Sequence, residues 1–126
     1  MGVVELFEEF RDTFPEVSKA ADARHIEMLG SVEQKEAFLW FESLAGALND
    51  QMGLQKRHPE ISAVFMFFDA KFRNGNDEVR NCIDVSLVEN LFWDVNPRNA
   101  FLLWAVLPDN LRQLYLDFHG RPPKLE

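Results

Sequence analysis

His58-Pro59-Glu60-Ile61-Ser62-Ala63-Val64-Phe65-Met66-Phe67-Phe68-Asp69-Ala70-Lys71-Phe72 is the stretch on which the fold class turns. The core of it, residues 61–68, is crowded with β-compatible side chains, and over so short a run periodicity does not separate a buried strand from a buried helix. The longer pattern does. Ile61, Val64, Phe65, Phe68 and Phe72 recur at steps of 3, 1, 3 and 4, and Pro59 suits a first helical turn, where its missing N–H has no partner to lose. Asn74-Gly75-Asn76 then supplies a turn of residues that tolerate positive φ. The stretch reads as a helix. A strand there would change the class to α+β.

The same period extends outward on both sides. Val3, Leu6, Phe7, Phe10 and Phe14 alternate with Glu5, Glu8, Glu9 and Asp12, giving an amphipathic helix stopped by Pro15. Residues 16 to 30 read as a short helix, with Ala20, Ala21 and Ala23 in favour and a ragged stripe of Val17, Ile26, Met28 and Leu29. Ser31 and Gln34 have the spacing of a capping box, which predicts a helix start there. That helix carries Ala37, Phe41, Leu44, Ala45, Leu48 and Met52, widened by Phe38 and Trp40 and ended at Gly53.

Asp77 is placed to cap a helix bearing Val79, Ile83, Leu87 and Leu91, expected to run to about Trp93. Asn96-Pro97 opens another with Phe101, Leu102, Ala105 and Val106 as its stripe. Pro108 starts the last, on Leu111, Leu114, Tyr115 and Phe118, and Gly120 and Pro122-Pro123 end it. The expectation is an all-α, single domain over residues 1–126, with six or seven short helices packed as antiparallel αα-hairpins and an extended tail from about residue 120.

Composition fits that expectation. The 126 residues are 47% hydrophobic and 27% charged, close to an ordinary globular domain. Twelve phenylalanines can fill a core economically, since each ring buries about 150–250 Å². The single Cys82 forms no internal disulfide, and no basic, apolar leader opens the sequence, so the cytoplasm is the expected compartment. Gly2 is followed by Leu6 where a myristoylation motif has Ser or Thr.

Charge restricts the function classes. A net charge of −8 opposes direct nucleic-acid binding, which draws its affinity from cations on phosphates. Residues 1–50 hold eleven acids against four bases, so the negative field belongs to the first half and would steer a basic partner. Glu5, Glu8, Glu9, Asp12 and Glu16 are the candidate contacts.

Chemistry is sparse. His25, His58 and His119 are isolated, and none has the i, i+4 partner of a helical zinc site. His25-Ile26-Glu27 resembles half a deaminase motif without the Pro-Cys-x-x-Cys that completes it. Cys82 falls on an apolar helical side, where packing is the natural role. The acids through Asp22 and Glu27 read as solvated faces. The densest polar segment is Tyr115 to Pro123. Asp117 and His119 lie two apart and do not face each other on a helix, so with Arg121 they read as a helix end and a second candidate for partner contact. Trp40, Trp93 and Trp104 read as core, although an exposed Trp would be a strong interface anchor. The sequence therefore nominates no catalytic residue, cofactor or metal ligand.

Asn81 to Leu91, containing Val85-Ser86-Leu87-Val88-Glu89-Asn90-Leu91, together with Leu107-Pro108 and the Leu114-Tyr115 to Pro123 ending, resembles small bacterial proteins similar to the immunity proteins of polymorphic toxin systems. The likeness covers the last third to half of the chain and carries no catalytic residue across. It implies a cytosolic, non-enzymatic neutraliser that binds a cognate toxin directly, and the acidic first half suits a basic toxin domain. The rival expectations are a helical-repeat-like adaptor with a cytosolic partner and, behind it, an enzyme with an unrecognised site.

Overall fold

The computed structural model describes residues 2–55 and 58–125. Among the described residues seven α-helices follow one another: α1 Val3–Thr13, α2 Pro15–Leu29, α3 Ala37–Gly53, α4 His58–Asn74, α5 Asp77–Cys82, α6 Pro97–Val106 and α7 Asp109–His119. There is no strand among the described residues, and residues 61–68 lie inside α4. The class is all-α. No described helix is long and apolar enough to cross a membrane.

α3 is the central element because it is apolar almost all round. Trp40, Phe41, Leu44, Ala45, Leu48 and Met52 are buried on one side or another, and so wide an apolar surface must be covered by neighbours, leaving only a stripe with Leu39, Glu42 and Asp50 exposed. α1, α2, α6 and the segment after α5 cover it. Phe10 of α1 sits among Phe14, Trp40, Phe41, Phe67 and Phe68 at ring-centroid distances of 5.0–6.5 Å, so these six rings form one connected cluster. Arg11 and Asp22 clamp α1 to α2 through paired hydrogen bonds, and the Trp40 indole donates to Asp22 at 2.8 Å.

Several boundaries differ from the sequence expectation. α2 is a full 15-residue helix, with Val17 and Ala21 buried while Ile26, Met28 and Leu29 face solvent. The Ser31–Gln34 capping box does not form. Residues Gln34–Glu36 make a 3-10 turn and α3 starts at Ala37, because the Gln34 amide donates to Glu8 of α1 instead. The cap of α5 is Asn76, whose Oδ1 accepts from the Val79 N–H at 3.0 Å, one residue before the expected Asp77.

After Cys82 the helix widens into a π-helical turn, Ile83–Leu87, tightens to a 3-10 turn, Val88–Asn90, and stops. It ends three residues short of Trp93. α6 is rotated from its expected face: Asn99, Ala100 and Leu103 are buried, while Phe101, Leu102 and Val106 are exposed. Phe118 is likewise exposed although Leu111 and Tyr115 of α7 are buried. The stop at Gly120 is as expected, with φ 74°, a conformation that favours glycine. The tail beyond it is non-helical.

Candidate functional site

Trp93 is the most exposed large apolar side chain of the described residues, at 80%. Its exposure is imposed by the backbone on either side. Phe92 and Asp94 have φ of 68° and 54°, and a bulky residue such as Phe at positive φ is a true outlier. Such residues cost about 1–3 kcal/mol each and persist only where surrounding structure over-determines them. The over-determination is visible. The Phe92 ring is buried against Trp104 and Tyr115 at 5.8 and 5.7 Å. Its N–H donates to Asn49 Oδ1 at 2.7 Å, and Asn49 Nδ2 donates to the Asn90 carbonyl at 2.8 Å. With Phe92 turned inward, Trp93 is turned out.

A groove of about 850 Å³ lies beside it, between the end of α2, one side of α3 and the Trp93 loop. Its apolar lining includes Met28, Leu29, Leu39, Leu54 and Trp93, all of which are exposed. Glu42, Asp50 and Asp94 add carboxylates, and the cation among the described lining residues, Arg24, is already bonded to Asp50 at 2.9 Å. Gly46 lets that arginine cross the helix, since a Cβ there would lie 2.2 Å from Arg24 Nε.

On the other side of Trp93 a second groove, of about 540 Å³, is closed by α7 and the tail. His119 and Arg121 line it, as does Glu89. The His119 ring stacks on Tyr115 at 4.1 Å, and its Nε2 lies 3.0 Å from the Glu89 carbonyl, which fixes Nε2–H as the donor. Burial pushes the Glu89 carboxyl up from its ordinary value, Asp84 and Glu42 add to that, and His119 opposes it. Asp84 is raised by burial and then by Asp117.

The residues nominated from sequence divide cleanly. His119 and Arg121 reach the Trp93 loop. Asp117 lies outside that groove's lining and accepts from Gln113. Glu5, Glu8, Glu9, Asp12 and Glu16 line neither groove, and several have internal partners: Glu5 with the Gly2 N–H, Glu8 with Gln34, Glu9 with Lys71, Glu16 with Lys19. Glu9 is half-buried, not a free surface acid. Trp93, read as core, was missed. No local pattern marks its exposure, because a helix run to Trp93 still leaves room for the Asn96-Pro97 start.

Two other arrangements have chemical interest. His25 is fully buried, with Nδ1 3.0 Å from Ser43 Oγ and Nε2 3.5 Å from Glu36 Oε2. A hydroxyl, imidazole and carboxylate in that order resemble a hydrolytic triad. Ser43, however, sits in the middle of α3, where neighbouring backbone N–H groups are spent within the helix and cannot serve an oxyanion. The trio ties α2 to α3. Cys82 is buried, and its thiol is pushed up to about 12 by burial, with Ser86 opposing and Glu78 adding. Among the described residues no three of His, Cys, Asp and Glu come together as a metal-holding set.

The family model described as Domain of unknown function (DUF7674) matches residues 7–120, and the chain belongs to that family. No curated protein and no solved structure matches the chain.

Proposed function

We propose that this member of the DUF7674 family is a non-enzymatic protein-binding domain, docking through Trp93 and the groove between α2 and α3. The observation that carries the reading is the strained Phe92, buried at positive φ, beside Trp93 held at 80% exposure. Strain kept beside an exposed aromatic is the usual mark of a preorganised contact, and Trp is the residue most enriched at binding hot spots.

The partner is a protein segment with an apolar anchor flanked by Lys or Arg. The apolar lining takes the anchor, and Glu42, Asp50 and Asp94, with one paired cation among the described lining residues, favour positive charge. A cognate toxin is the partner implied by the sequence resemblance of residues 81–123, neutralised by direct binding, and the acidic charge of the chain suits a basic one. The charge of the groove supports a basic partner of that kind and moves the expected contact from α1 to the Trp93 loop.

The test begins with a photo-reactive phenylalanine analogue at position 93 in the native host, which covalently marks whatever sits on the loop. The marked protein is then purified and titrated against the parent chain and Trp93→Ala. The expected loss is about 30-fold or more in affinity, the size of a hot-spot truncation. Equal affinity for both chains would sink the reading. A toxin encoded beside this chain would support the immunity role, and a host adaptor or scaffold protein would favour the alternative.

A further inference from the structure

A separate cavity of about 220 Å³ lies between the end of α3, the start of α4 and α6. Met52, Ile61 and Leu103 form buried walls, and Leu102 stands at the edge. The polar lining is Gln55, His58 and Asn99, with no carboxylate, ammonium or guanidinium among the described lining residues. Asn99 is already engaged: its Oδ1 accepts from Gln55 at 3.0 Å and its Nδ2 donates to the Gly53 carbonyl at 3.3 Å. Gln55, which reaches it, is held at φ 56°. His58 is different. Its Nε2 is buried and has no hydrogen-bond partner, an expensive condition that calls for an explanation.

The Gln55 and Asn99 amides keep further donor and acceptor capacity, so a water can meet His58, but one water takes only about 30 Å³ and leaves most of the cavity unfilled. An apolar cavity of about 150 Å³ takes benzene, so this larger one accommodates a six-membered ring with a small substituent. A hydroxyl both donates and accepts, and therefore satisfies Nε2 in either tautomer. Met52 adds an adaptable wall. We propose that this cavity binds a small neutral ring compound bearing a hydroxyl, the ring lying among Met52, Ile61 and Leu103 and the hydroxyl on His58 Nε2. The site is independent of the Trp93 docking surface, and its occupancy needs no protein partner.

Phenol and toluene, matched in shape, test it. A wholly apolar cavity prefers toluene, because phenol must give up hydration without return. Titrations of the full chain followed by methyl NMR should show saturable shifts at Met52, Ile61 and Leu103, with phenol preferred by about threefold or more. His58→Leu should reverse that order, and His58→Met replaces it should the leucine variant lose its helical circular dichroism. The proposal is overturned by an absence of saturable shifts at those methyls, by a parent chain that prefers toluene, or by a folded variant that keeps the preference for phenol.

Discussion

The Asn49 side chain, at the groove wall of α3, accepts the backbone N–H of Phe92 at 2.7 Å while donating to the Asn90 carbonyl at 2.8 Å. One amide thus satisfies both ends of the turn that everts Trp93. Replacing Asn49 by Ala strands two backbone groups, at least one of them buried, at about 1–3 kcal/mol each before relaxation. We expect Asn49→Ala to lose about 2 kcal/mol or more in urea unfolding, and the Trp93 emission to change with it. Parental stability would mean that solvent reaches these groups freely.

Trp93→Ala should leave stability within about 0.5 kcal/mol, as an exposed side chain away from the core generally does. Trp40 is buried and Trp104 partly so, which makes Trp93 the chief source of acrylamide-quenchable fluorescence. The variant should lose that quenchable component and keep the parental unfolding midpoint. A large drop in midpoint would reassign Trp93 to the structural core.

Charge reversal on α1 should be uneven. Asp12→Lys is expected within about 0.5 kcal/mol of the parent. Glu9→Lys faces Lys71 of α4, a half-buried cation that now pairs with Glu9, so attraction becomes repulsion across a helix contact. It should cost more than Asp12→Lys, in an unfolding comparison at low salt, and the gap should shrink as salt rises. Equal costs would show that the pair contributes nothing.

Asp84 and Glu89 have folded-state values raised chiefly by burial. The folded chain therefore takes up protons more readily than the unfolded chain, and these groups make stability fall as pH rises from about 4 through their raised values. Asp84→Asn and Glu89→Gln should each stabilise the protein at pH 7, with the gain shrinking as the pH approaches 4. Urea midpoints at the two pH values check the sign. A gain that grows on acidification would refute the assignment.

Cys82, with its thiol pushed up to about 12 and no exposed surface, should resist a disulfide reagent at pH 8 in the native state and react fully in denaturant. The native rate then reports opening of the π-helical segment. Immediate labelling of the folded chain would contradict the packing around α5.

Sequence alone determined the helical class, the end of α7 at Gly120 and the start of α6 at Asn96-Pro97, because these depend on short-range rules: period, proline geometry and the φ freedom of glycine. It also determined most of the buried row of α1 and the seat of Cys82. What it could not decide were choices made by neighbours. Gln34 abandoned its capping role for a carboxylate on another helix. α6 turned Asn99 inward because Gln55 and the Gly53 carbonyl were there to receive its amide, and Phe101 and Leu102 were carried outward as a result. Whether Trp93 or Phe92 entered the core was settled by Asn49, Trp104 and Tyr115, the nearest of them eleven residues away along the chain. Burial of one aromatic over its neighbour is a competition for a place that exists only once the other helices have packed, so the candidate site became legible only in three dimensions.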